Sequence, residues 1–241
     1  MSVPTTAALV GTTGGAGTTR LTVELATALA ADGHDVAILD AAFATQGLSD
    51  YVSGALDPDV TALLTDAADE SLAAGLVEFE VPGDGRVAVC PAAAPFERLA
   101  RAMSVDAAQA FEGRIAEAAS EFDVVLVDAP LLASNAAVAA ATTCDRVALV
   151  APATDRGADA LGRFTARAAD VGATIDTTVS TFGSLPDADV AVPESESGTV
   201  ADAPACQDDP ELAAGVAAVA EALLDIEPTA LTESGSVFSR R

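Results

Sequence analysis

The stretch Gly11-Thr-Thr-Gly14-Gly15-Ala-Gly17-Thr18-Thr19 constrains the fold more than any other, because it joins an apolar run, Ala7 to Val10, to an amphipathic one, Leu21 to Ala31. That order predicts strand, glycine loop, helix. Glycines in such a turn let backbone N–H groups close round an anion, and the positive end of the helix dipole faces the same point. Gly17-Thr18-Thr19 stands where a G-x-x-x-x-G-K-[ST] nucleotide loop has its G-K-[ST], with Gly11 at the head of the loop one residue further back than that pattern's first glycine, and Thr19 is the hydroxyl that such a loop offers to magnesium. The lysine position, which serves the β- and γ-phosphates, is Thr18. The cradle is present without its usual cation.

Beyond the loop, short apolar runs alternate with amphipathic ones. Asp35 to Leu39 reads as a buried strand ending in Asp40, followed by a mixed segment from Asp57 to Leu76 and a strand at Arg86 to Cys90. A helix over Val105 to Ala119 leads to a strand over Asp123 to Val127 that ends in Asp128. Then come a strand at Arg146 to Val150, a helix at Ala158 to Val171, a threonine-rich strand at Thr174 to Ser180 and a last helix from Pro210 to Asp225. Five-residue apolar strands between helices imply an α/β fold: one mostly parallel twisted sheet with helices on both faces. Two polar stretches, Asp187 to Asp209 and Glu227 to Arg241, read as surface loop and frayed terminus. The chain divides into one domain over 1–226 and a flexible tail over 227–241.

Composition narrows the partners. The 241 residues are 51% apolar and carry a net charge of -26, with 37 acidic residues and 11 basic ones, all arginine. So negative a surface argues against nucleic-acid and anionic-membrane partners. The acidic, lysine-free balance fits a salt-loaded cytoplasm of haloarchaeal type, since at molar salt the Debye length is about 3 Å and self-repulsion is screened. Cys90, Cys144 and Cys206 form no C-x-x-C pair, so neither a disulfide framework nor a zinc site is indicated. The lone His34 falls in a helix-to-strand turn. No apolar run reaches the roughly 18 residues of a spanning helix, and the expectation is a soluble, cytoplasmic protein.

These elements together resemble the MinD/ParA group of deviant P-loop ATPases. Thr13-Gly14-Gly15-Ala16-Gly17-Thr18-Thr19 aligns with that group's K-G-G-x-G-K-T; Asp40-Ala-Ala42 with the later Gln46-Gly47-Leu48 resembles its second strand and switch. Phe122 to Asp128-Ala-Pro130 is similar to its Walker B strand, and Val192-Pro193 followed by Pro204-Ala205 to its C-terminal pattern. The resemblance implies a single-domain P-loop fold with the nucleotide site at the carboxyl ends of the strands. It would place phosphate on Gly11, Gly14, Gly15, Gly17, Thr18 and Thr19, and Mg2+ near Thr19, Asp40 and Asp128.

The departures bear on function. By the resemblance, the first lysine crosses a dimer to the partner's nucleotide, the second grips phosphate, and the second acid of D-x-D orients water; here they are Thr13, Thr18 and Ala42. One transition-state cation is worth about 10³ to 10⁵ in rate, so hydrolysis should be negligible and no catalytic residue is assigned. ATP or ADP with Mg2+ is expected weakly bound or absent. Arg20 reads as pointing outward from the first helical turn. The expected role is a non-hydrolysing partner-binding or regulatory scaffold in cell division, chromosome partitioning or positioning of cellular machinery, with an unidentified protein partner and an ATP-independent homodimer as its assemblies. The alternatives are a slow or partner-activated ATPase and a regulator that binds nucleotide without cleaving it. Asp40 and Asp128 also have a plainer reading as strand-end acids capping neighbouring helices. A G-x-G-x-x-G test from Gly15 meets Gly17 but then Arg20, which argues against a dinucleotide fold. The tail Ser236 to Arg241 resembles a truncated membrane-targeting helix, too short of apolar residues to anchor.

Overall fold

Runs such as Val124-Val-Leu-Val have no polar side to offer water, so they form strands only where both faces are covered. In the computed structural model, which describes residues 4–195 and 197–229, they lie in an eight-stranded sheet. The strands are β1 (Thr5–Gly11), β2 (Asp35–Asp40), β3 (Val77–Phe79), β4 (Arg86–Cys90), β5 (Val124–Ala129), β6 (Arg146–Pro152), β7 (Thr177–Thr181) and β8 (Val190–Val192). Their spatial order is β3-β4-β2-β5-β1-β6-β7-β8, and every pairing is parallel except β3 with β4.

Period-two alternation sorts side chains to two cores. Leu9, Ile38, Leu126 and Val150 pack under α1 (Thr18–Ala31) and α7 (Pro210–Leu224). Val10, Leu39, Val127 and Leu149 pack on the opposite face. That face is covered by α4 (Val105–Ala119), α5 (Asn135–Thr143) and α6 (Asp155–Asp170), with the short α2 (Val60–Leu63) and α3 (Phe96–Ala102) towards the β4 side. The expected mostly parallel sheet with helices on both faces is what forms. Among the described residues no helix is long and apolar enough to cross a membrane, and the three cysteines are free.

Three expectations need correction. Asp187 to Asp209 is not only loop: Val190–Val192 adds to the sheet as β8, which pairs in parallel with β7. The segments α3, α5 and β3 lie where no element was expected. Elsewhere α6 begins at Asp155, three residues before the expected Ala158, because Thr154 caps it by accepting from Gly157 N–H. The tail from 230 onward, including Ser236 to Arg241, lies outside the described residues.

Candidate functional site

β1 lies between β5 and β6, and the chain leaves it in one direction for β2 and later in the other for β6. Such a reversal leaves a crevice beyond the carboxyl ends of the strands. The glycine loop fills its floor. Thr12 anchors one side, donating from both N–H and Oγ1 to Val150 O at 2.9 and 3.0 Å. On the other side the Thr181 hydroxyl donates to Ala16 O at 2.7 Å. Gly15 and Gly17 adopt left-handed φ of 74° and 77°, conformations in which a side chain is strained.

The helix that follows begins without a cap. Ser104, Ser134, Thr154 and Asp209 each accept a backbone N–H at the start of α4, α5, α6 and α7, but Gly17 gives α1 no side-chain acceptor. Amides at that terminus therefore face the loop ready for an anion, and the dipole favours one there. Gly11, Gly14, Gly15, Gly17, Thr18 and Thr19 are brought together as one loop and helix start. The Thr18 side chain does not extend as a lysine would: it folds back so that a Cβ on Gly11 would lie 2.9 Å from Thr18 Oγ1.

The acidic positions converge as well. Parallel register sets Asp40 opposite Asp128 at the ends of β2 and β5. Asp128 accepts from the Thr19 hydroxyl at 2.6 Å, and Asp40 accepts from Ala42 N–H at 2.7 Å and Ala92 N–H at 3.0 Å. Neither caps a helix, so the plainer reading of these acids is corrected. Both are buried; desolvation, and for Asp40 the neighbouring Asp128, pushes each carboxyl above the ordinary range, while the Thr19 hydroxyl pulls Asp128 back down. A divalent cation beside Thr19 would relieve that strain, so the donor set fits magnesium. Nearby, Gln46 donates its side-chain amide to Ala94 O at 3.0 Å, and Leu48 is fully buried. Gly47 sits close enough that a Cβ there would meet Thr19 Oγ1 at 3.8 Å.

The positions of the loop and switch that would carry cations or the second acid are uncharged. Thr13 and Ala42 are buried and neutral. Arg20 turns sideways rather than straight outward: it pairs with the buried Glu24 and donates to Thr199 O at 3.0 Å and Ser197 O at 3.4 Å. Glu24 in turn accepts from Ala205 and Cys206 N–H, both at 2.9 Å. The guanidinium thus ties α1 to the segment after β8.

Sequence reasoning missed Phe182. At φ 61° it lays its ring over Gly17, where a Cβ would meet Phe182 Cζ at 2.9 Å. Together with Tyr51, Leu21, Leu212 and Pro193 it walls an apolar cleft of about 230 Å³ beside the loop. The signal was a bulky residue directly before Gly183 at the end of a strand, where the chain must turn.

The sheet order, the loop at the switch point and the paired strand-end acids define a protein of the P-loop NTPase fold. No family model matches the sequence, and no curated protein matches it. Solved structures do. The septum site-determining protein MinD of Pyrococcus horikoshii, complexed with Mg-ADP, is similar with a TM-score of 0.70 at 18% identity, over 98% of this chain and 96% of that one. A ParA family ATPase from Chlorobium tepidum is similar with a TM-score of 0.69 at 15% identity, over 95% and 98%. Cobyrinic acid a,c-diamide synthase from Mycobacterium smegmatis, with bound ADP and magnesium, is similar with a TM-score of 0.67 at 17% identity, over 90% and 95%. The fold is that of the MinD/ParA P-loop proteins. It also carries other chemistry, so activity has to be argued from the residues.

Proposed function

We propose that this chain is a MinD/ParA-like protein that keeps the P-loop scaffold and has given up hydrolysis, acting by binding a protein partner in division, partitioning or the positioning of cellular machinery. The observation that carries the reading is that the loop's own phosphate-facing positions bear no cation: Thr18 lies against Gly11, Thr13 and Ala42 are neutral, and Arg20 is committed to Glu24. Phosphoryl transfer depends on electrostatic stabilisation of a charge-rich transition state, and the loop residues themselves supply amides, hydroxyls and a helix dipole but no cation. The test is phosphate release from Mg-ATP by the purified chain at high potassium. The expected result is a rate indistinguishable from buffer; turnover abolished by Asp128→Ala would instead establish a slow ATPase.

A second reading, a sensor that binds nucleotide without cleaving it, is favoured by the uncapped start of α1 and by the Thr19–Asp128 pair. The loop amides would hold the phosphates, and Thr19, Asp128 and Asp40 would hold the magnesium, which when bound neutralises phosphate charge. The chain's own contribution is to orient those oxygens and to cover the cleft with Phe182. Calorimetry with ADP, ATP and Mg2+ separates the sensor from a nucleotide-free scaffold: saturable heat that disappears in Thr19→Val favours the sensor. Sedimentation tests the ATP-independent homodimer, whose mass should not respond to ATP.

A further inference from the structure

Positive charge is scarce in this molecule, and its distribution is uneven. Arg20, Arg86, Arg98, Arg101, Arg114 and Arg146 each form an ion pair with a carboxylate. The remaining arginines of the described residues, Arg156, Arg163 and Arg167, have no ion pair or hydrogen bond there, and all three are exposed on α6. Their spacing of seven and then four residues keeps them on one stripe of the helix, at rises of about 10 Å and 6 Å. The stripe borders the buried face formed by Leu161, Phe164 and Ala168. It forms one wall of a groove, with Asp170 at the far end of that wall, and the other wall is Thr12, Thr13 and Gly14 of the loop. Thr13 Oγ1 is buried there with no hydrogen-bond partner among the described residues. Leu131, 37% exposed, lines this groove and also an adjoining apolar hollow containing Phe43 and Met103.

Three unanswered guanidinium groups in a chain of net charge -26 call for an anion. We propose that the groove between α6 and the glycine loop is a docking site for an extended acidic segment of a partner protein, its carboxylates on Arg156, Arg163 and Arg167 and an apolar side chain on Leu131. The proposal rests on the partner-binding reading above and names the chemistry of that partner. An extended peptide places alternate side chains about 7 Å apart, so the roughly 16 Å stripe matches a segment of five or six residues. The charge of such a segment can end where the stripe ends. A nucleic acid continues its charge into the acidic surface beyond, which disfavours it. A second copy would approach with the same stripe of arginines, opposing like charges unless the helices slide.

The test is fluorescence anisotropy with the full chain, free of nucleotide, and a labelled hexapeptide of alternating glutamate and leucine. The expected result is saturable binding that weakens at least tenfold in R156Q/R163Q/R167Q, and less than twofold in R86Q/R101Q/R146Q, which removes the same charge elsewhere. Leu131→Ser should weaken it at least threefold, and circular dichroism should be unchanged, since the substituted groups are exposed or half-exposed. Absence of saturable binding, equal losses in the two triple variants, or tighter binding of a hexathymidylate overturns the proposal. So does a wild-type dimer that the groove variant converts to monomer, because the stripe is then occupied by a second copy. Peptide binding and phosphate release are independent readouts. Failure of the titration removes the groove alone, and ATP turnover removes the non-hydrolysing reading alone.

Discussion

Glu24 is 1% exposed in the middle of α1, and what answers its charge decides what Arg20 is for. The carboxylate has the Arg20 guanidinium and two amides around it, so removing the guanidinium leaves a buried charge half-compensated. Arg20→Ala should destabilise the fold by about 3 kcal/mol, read from urea unfolding, and leave the nucleotide response where it was. A variant of normal stability with altered nucleotide binding would place that arginine on the phosphate instead. The Asp40–Asp128 pair gives the second expectation at this scale. Both carboxyls are raised, so between the ordinary carboxylate range near pH 4 and neutrality the native state holds more protons than the unfolded one. Stability contributed by this pair is therefore greatest in acid and falls as pH rises. Asp128→Asn keeps an acceptor for the Thr19 hydroxyl and removes one charge. It should raise the melting temperature near pH 8, leave it little changed near pH 4.5, and flatten the pH profile of metal-free protein.

Among the elements, α6 depends on one close approach. A Cβ on Gly157 would lie 1.9 Å from Pro152 O, so the first turn of the helix presses on the end of β6 with no room for a methyl group. Gly157→Ala must displace one or the other at a cost of about 2–3 kcal/mol, visible in the denaturation midpoint. The central strands were legible from sequence because burial on both faces leaves them uniformly apolar, and α4 ran as expected from Val105 to Ala119 behind the Ser104 cap. The elements that escaped notice lack such signals. Seven of the nine residues of α5 are alanine or threonine, with little periodicity to separate a face. α3 is two turns after a proline, β3 is a half-exposed antiparallel edge, and β8 is three residues inside a polar stretch.

Over the whole molecule, a charge of -26 on 241 residues implies strong self-repulsion in dilute buffer. Raising potassium chloride from 0.1 to 2 M shrinks the Debye length from about 10 Å to below 3 Å, and the melting temperature should climb steadily across that range. A flat response would argue against the salt-loaded habitat inferred from composition. The positions facing the crevice were readable from sequence because a glycine loop and strand-end acids leave local signatures. What joins across distance was not: Phe182 over Gly17, Arg20 bound to the segment after β8, and three arginines gathered against the loop meet only through the chain's crossings.

The cleft beside the loop also carries a reporter. The chain has no tryptophan and one tyrosine, and Tyr51 lines the same hollow as Gly17 and Phe182. All of the protein's phenolic emission therefore originates there. Anything that enters that hollow or moves its walls will change the intrinsic ultraviolet fluorescence of unmodified protein, so occupancy can be followed without attaching a dye.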